Sequence, residues 1–243
     1  MRSVGIIGYG SFGALLESLT TKFAPETEVR IFSSRRAPDG KQFFSFEEVA
    51  TCDVVIPTVP IHAFEDTLTK LLPLMRPEGI LVDVATVKVH TVEILRRLAA
   101  GRPYIATHPM FGPESYAKRD NDVAGFRIVL TESTIPEQNR VQLVEFLRVC
   151  GFSVVEMSPE AHDKHLAETL FLTHLVGQII ARGEFGRTEI DTVSFGYLMD
   201  AVESVKHDTA LFQDVFRYNP YCAEVLERFG IAEREVQSLL EAN

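Results

Sequence analysis

The first half of the chain predicts an α/β fold, a Rossmann-type doubly wound parallel sheet, and the second half predicts an all-helical domain that dimerises. Three observations point there. Short apolar, β-branched runs alternate with stretches of helical period, the first run passes directly into a glycine-rich turn, and strand signals stop after Ser158-Pro159.

The strand candidates are Val4 to Gly8, Glu28 to Phe32, Asp53 to Val59, Ile80 to Val84, Tyr104 to Thr107, Arg127 to Leu130 and Ser153 to Glu156. Helix candidates lie between them near Phe12 to Phe23, His62 to Leu72, Val87 to Ala99 and Pro136 to Cys150, with connections marked by Pro25, Gly40, Pro60, Gly79, Gly101 and Gly151. Pro159 suits the first turn of a helix, and helical pattern continues to Asn243 with breaks near Gly183 to Gly186 and at Asn219-Pro220. These signals divide the chain into a dinucleotide-binding domain, residues 1–157, and a helical substrate and dimerisation domain, residues 158–243. The stretch from Ala161 to Ala181 is apolar nearly all round, so it is expected inside a core or a subunit interface, and a homodimer follows.

Composition excludes several classes. With 24 basic and 34 acidic residues the net charge is -10, which disfavours a nucleic-acid partner and leaves an anionic small molecule to a local basic pocket. Cys52, Cys150 and Cys222 are widely spaced, suggesting neither a disulfide framework nor a zinc site and fitting a reducing cytoplasm. No apolar run approaches the ~20 residues of a membrane helix, and no targeting segment is expected.

Gly8-Tyr9-Gly10-Ser11-Phe12-Gly13 reads G-x-G-x-x-G between a strand and a helix, where each glycine has a mechanical purpose. Gly8 permits the tight turn, Gly10 lets backbone approach a pyrophosphate, and Gly13 lets helix and strand pack closely. Thr58-Val59-Pro60 closes another strand at its carboxyl end, where ligands of open parallel sheets bind, and either meets the nicotinamide end or is an ordinary turn. NAD-selective domains carry an acid about 20 residues beyond the glycines. Here the second strand ends Ser33-Ser34-Arg35-Arg36 without one, and hydroxyls with an arginine fork suit a 2′-phosphate. NADP is the expected cofactor, with NAD left open.

Two further strand ends, Asp83-Val84-Ala85-Thr86-Val87-Lys88 and Thr107-His108-Pro109-Met110-Phe111-Gly112-Pro113-Glu114-Ser115, would project over the same cofactor edge. A histidine there can accept a hydroxyl proton while hydride leaves the carbon. These segments and the glycine turn resemble the prephenate/arogenate dehydrogenase family, most of all its plant-like arogenate branch. The likeness continues through His162-Asp163, Thr173-His174-Leu175-Val176-Gly177, Gly196-Tyr197, Leu211-Phe212, Tyr218-Asn219 and Leu226-Glu227-Arg228.

The resemblance implies oxidative decarboxylation of arogenate or prephenate by NAD(P), with His108 as the catalytic histidine. Thr86 replaces the family's usual serine, keeping a hydroxyl for substrate or His108, and Gln178 stands where relatives carry an arginine. Arg182, Arg187 and Arg217 are then candidates to meet the substrate carboxylates. Asp163 and His174, three helical turns apart, share a face about 16 Å apart along the axis, so both, with Gln178, are candidate substrate contacts. Asp163 could meet the ammonium of arogenate, or it is a helix-start aspartate; His174 could line the pocket, or it is a core histidine. His162 and His165 neighbour each other, but His174 is over two turns away, which argues against a metal site. Two other readings stay open: a related reductase acting on 4-amino-4-deoxyprephenate, an imine or a hydroxyacid, and a non-catalytic sensor of dinucleotide or aromatic metabolite.

Overall fold

The computed structural model describes residues 2–241, and the chain forms two compact units, residues 1–162 and 163–243. The strands of the first unit are β1 (Ser3–Ile7), β2 (Glu28–Phe32), β3 (Val54–Pro57), β4 (Ile80–Asp83), β5 (Tyr104–Pro109), β6 (Arg127–Ser133) and β7 (Ser153–Glu156). They make one sheet in the order β2-β1-β3-β4-β5-β6-β7. Its helices are α1 (Ser11–Phe23), α2 (Phe46–Ala50), α3 (Phe64–Leu71), α4 (Val89–Leu98), α5 (Pro113–Ala117) and α6 (Glu137–Val149).

Successive side chains of a strand face opposite sides of the sheet, and here both sides are covered. Ile7, Val55, Leu81 and Ala106 pack with Phe64, Leu68, Leu71, Val92 and Leu95 of α3 and α4, while Ile6, Ile31 and Ile56 belong to a second buried cluster with Phe43. That burial on both faces is why these strands read as continuous apolar runs. Phe43 also forms a lone parallel bridge to Ile31, the stub of a further strand outside β2.

The sheet departs from the all-parallel expectation at one end. Strands β1 to β5 are parallel, β6 is antiparallel to β5, and β7 follows β6 in parallel. Between β5 and β6 the chain makes only the five-residue α5, with no long helix to carry it across a sheet face, so it returns in the opposite direction. The same pairing shifts register between Ala106 and Thr107, immediately before His108. A bulge there re-aims the side chains that follow.

In the second unit α8 (Leu172–Arg182), α9 (Val193–Val205), α10 (Thr209–Tyr218) and α11 (Cys222–Glu241) pack around aromatic side chains, Phe171 stacking on Phe212 at 5.4 Å. Helix α7 (Pro159–Leu166) leads into α8 through a π turn, Ala167–Phe171. A π turn holds one residue more than an α turn, which offsets the helical phase by about 100°. Asp163 and His174 therefore do not share the face that uninterrupted helical counting gives them. Within the single chain Phe171, His174, Gly177 and Gln178 are buried, whereas Ile179 is 48% exposed. Among the described residues no helix is long and apolar enough to cross a membrane.

Candidate active site

Because β1 to β5 run the same way, their carboxyl ends share one edge of the sheet, and the residues nominated in the first unit lie along it in strand order. Ser33 to Arg36 follow β2, Gly8 to Gly13 follow β1, Thr58 to Pro60 follow β3, Thr86 follows β4, and His108 sits in the last turn of pleat of β5. From β1 to β5 is three strand steps, about 14 Å.

The turn after β1 has the geometry of a phosphate cradle. Gly8 takes φ 106°, and a Cβ there would lie 2.6 Å from the Thr58 carbonyl oxygen. A Cβ at Gly13 would lie 2.4 Å from the Gly8 oxygen, whereas one at Gly10 meets nothing within 4 Å. Two glycines are thus required by packing, while the space beside Gly10 is open. Helix α1 starts at Ser11 with no side-chain cap, so its first amides are available to an anion. Thr58 locks the turn, its Oγ1 donating to the Gly8 oxygen at 2.8 Å and its amide to the Ile7 oxygen at 2.7 Å. These residues fit a dinucleotide pyrophosphate.

Beyond β2 the chain turns sharply. Ser33 is buried, and its Oγ accepts the Arg35 amide at 3.3 Å, so this hydroxyl helps shape the turn. Arg36, which the sequence left beside its neighbour, is the better anchored arginine: its guanidinium lies 5.5 Å from the Tyr9 ring centre and 4.9 Å from that of Phe43. Tyr9 is fixed in turn, donating to Glu17 at 2.6 Å and accepting from Gln42 at 3.1 Å. The hydrogen bond to Glu17 is the main cause of the raised Tyr9 pKa.

Under the strand ends of β4 and β5 lies a buried polar knot. Lys88 and Asp83 are both fully buried, with Lys88 Nζ donating to Asp83 Oδ2 at 2.5 Å and to the Thr107 oxygen at 2.7 Å. Asp83 also accepts from Thr91 Oγ1 at 2.7 Å and from the Ala85 amide at 2.7 Å. The knot fixes the carbonyl that precedes His108. His108 is 5% exposed, and burial, with smaller contributions from His162 and Lys88, holds its pKa well below the usual histidine value. Its ring is therefore neutral at neutral pH. Its Nδ1 lies 2.9 Å from His162 Nε2, a partner 54 residues away. Thr86, half-buried in the loop after β4, makes no side-chain hydrogen bond to His108 among the described residues.

The second unit places its nominees differently. Asp163 is fully buried, its carbonyl accepts Asn219 Nδ2 at 2.8 Å, and its charge, after burial, helps push the Cys222 thiol up to about 12. That is an interior position. His174 is buried and stacked near Phe212 at 6.1 Å, with its Nδ1 unpartnered; burial lowers its pKa, with Asp208 opposing. Gln178 donates both amide hydrogens, to the Val205 oxygen at 3.0 Å and the Lys206 oxygen at 3.1 Å, and accepts from Arg182. It braces α8 against the end of α9 and occupies Arg182. Arg187 pairs with Asp200 at 2.5 Å, and Arg217 is exposed on the last turn of α10.

The fold, the glycine cradle and the strand-end histidine define a Rossmann-type nucleotide-binding protein. Residues 39–156 match the family described as "Prephenate dehydrogenase, nucleotide-binding domain", and residues 179–243 match "TYRAAT1-like, C-terminal domain". Over 98% of its length the chain is 30% identical to Arogenate dehydrogenase 1, chloroplastic, of Arabidopsis thaliana, covering 39% of that protein. It is 29% identical over 98% of its length to Arogenate dehydrogenase 2, chloroplastic, of the same plant, covering 69% of it. The chain thus spans well under half the length of the first of these relatives. The crystal structure of prephenate dehydrogenase from A. aeolicus in complex with hydroxyphenyl propionate and NAD+ shares the fold, with a TM-score of 0.76 and 21% identity over 99% of this chain and 91% of that one. Residues 39–156 thus match the nucleotide-binding domain of the prephenate dehydrogenase family, and nearly the whole chain is similar to plant arogenate dehydrogenases.

Proposed function

We propose that the protein catalyses the NADP-dependent oxidative decarboxylation of arogenate to tyrosine, accepting prephenate to give 4-hydroxyphenylpyruvate as the second substrate. The observation that carries this is His108: a buried, neutral imidazole on the sheet edge that also bears the phosphate cradle. A nicotinamide dinucleotide held by residues Gly8 to Gly13 and Thr58 to Pro60 supplies the hydride acceptor. His108 accepts the proton of the substrate hydroxyl as hydride leaves the same ring carbon, and loss of CO2 completes an aromatic ring. The choice of NADP is supported by the absence of an acid at the end of β2 and by Ser34, Arg35 and Arg36 beyond Ser33. Asp163 is assigned an interior role, and His174, whose buried Nδ1 is unpartnered, is the better candidate to meet substrate. A homodimer is supported by the exposed apolar side chains Ile179, Val193, Tyr197, Leu239 and Leu240 of the helical unit, and a reducing cytoplasm by three free cysteines.

Steady-state assays of arogenate and prephenate against NADP and NAD test the reading. The expected order puts arogenate with NADP first in kcat/KM, and His108→Ala is expected to lower kcat by about 10²–10⁴-fold with little change in dinucleotide affinity. No turnover of either substrate, or a fully active His108→Ala enzyme, would overturn it.

A further inference from the structure

We propose that His162 is a positioning residue for His108, its Nε2 accepting the hydrogen bond that keeps the His108 proton on Nδ1 and leaves Nε2 bare for the substrate. The inference rests on the reading of His108 as the proton acceptor and adds the group that prepares it.

A neutral imidazole has one proton and two nitrogens, so its usefulness as a base depends on which nitrogen is bare. At His108 the Nδ1 side is taken by His162 at 2.9 Å, which leaves Nε2 as the atom for a ligand. If His108 donates from Nδ1, its Nε2 lone pair is free to take a proton. If the bond ran the other way, the His108 proton would sit on Nε2 and block proton uptake. The two rings meet at 73° with centres 5.1 Å apart, an edge-on approach suited to one directed hydrogen bond rather than to stacking. The nearby polar groups are otherwise engaged: Lys88 points its ammonium at Asp83 and the Thr107 carbonyl, and among the described residues Thr86 makes no hydrogen bond to the ring.

The placement of His162 is fixed locally. Ser158 Oγ accepts the Ala161 amide at 3.2 Å and its carbonyl accepts the His162 amide at 3.0 Å, while Pro159 presets the first turn. His162 is thereby turned inward and 3% exposed, while His165 faces solvent. When His108 takes up the substrate proton, both of its nitrogens become donors, and the His162 lone pair meets the Nδ1–H. A neutral acceptor stabilises that cation less than a carboxylate does, so the expected contribution lies below the roughly 10⁴-fold effect of an aspartate in a hydrolase triad.

The experiment compares His162→Leu, His162→Gln and His108→Ala in steady-state turnover of arogenate with NADP. It also measures dinucleotide binding by fluorescence and the nitrogen-15 shifts of the His108 ring. Leucine is expected to lower kcat by about 10–10²-fold with KM and dinucleotide affinity within about twofold, since the interaction acts on the reacting group and not on binding. Glutamine, whose amide oxygen can accept the same hydrogen bond, is expected to recover about tenfold of that loss. The wild-type and glutamine proteins should show His108 protonated at Nδ1, and the leucine variant a mixture of tautomers. A leucine variant with wild-type kcat beside an inactive His108→Ala would remove the role of His162 alone. An active His108→Ala would remove the base assignment, and this inference with it. Should leucine prevent folding, a wild-type His108 carrying its proton on Nε2 overturns the proposal without any variant.

Discussion

Burial of His108 costs the charged ring more than the neutral one, and the nearby His162 and Lys88 act in the same direction. A base with a depressed pKa stays competent to lower pH, so the acid limb of kcat/KM is expected below about pH 6.5, the ordinary histidine value. A limb at or above that value would contradict the assignment. At the other end of the edge, the guanidinium of Arg36 is preset against Tyr9 and Phe43, and less of its freedom remains to be lost on binding a phosphate. Arg36→Met is expected to raise the dissociation constant for NADP by about tenfold while changing that for NAD by less than threefold; Arg35→Met should do less. Titration of both nucleotides against both variants checks this. His108 was legible because one segment supplied a strand, a histidine and a glycine-proline turn in order. His162 was not, since its partner lies 54 residues away and only the packed sheet brings the two rings together. The choice between Arg35 and Arg36 was not legible for a similar reason: nothing in a local pair of arginines says which one finds two aromatic faces.

At the scale of elements, the glycine cradle and the polar knot beneath β4 and β5 decide how firmly the edge is built. Removing one member of a buried, hydrogen-bonded ion pair leaves the other charge without compensation, at about 3–5 kcal/mol. Lys88→Met is expected to destabilise the protein by about that amount, and adding Asp83→Leu should return part of the loss, because the orphaned carboxylate goes with it. Denaturant unfolding of the two variants and the wild type measures both. Most long elements could be read from the sequence, because strands covered on both faces and helices of two turns or more leave a clear period. Helices α2 and α5 escaped because five residues are too few to show one, although the Ser45 and Glu48 capping box would have marked the first. The reversal of β6 also escaped, since the residues of a strand carry no sign of its direction.

For the molecule as a whole, two buried histidines tie folding to pH. His108 and His174 both have pKa values lowered on folding, so the unfolded chain takes up more protons than the folded one as pH falls below about 6.5. Their effect on stability is absent above that value and grows as pH drops toward the folded-state pKa values. Melting temperature is expected to be flat from pH 8 to about 7 and to fall below about 6.5, with a shallower fall in His174→Asn. Equal slopes in variant and wild type would exclude His174 from the effect. The helical unit also holds the proposed dimer face, and the π turn governs which residues that face contains. In evolutionary terms the turn is a surplus residue, as though an ancestral helix had gained one codon between positions 167 and 171. Deleting one residue there would restore regular backbone hydrogen bonding and keep α8 in its present phase, with Ile179 outward and Gly177 against Val205, which a Cβ at Gly177 would approach to 2.4 Å. That deletion is expected to leave helix content by circular dichroism and the proposed dimer in light scattering unchanged, whereas removing one residue early in the regular helix of α8 turns the rest of it by about 100° and should abolish the proposed dimer, so the address of that interface would be written in residue count as much as in residue type.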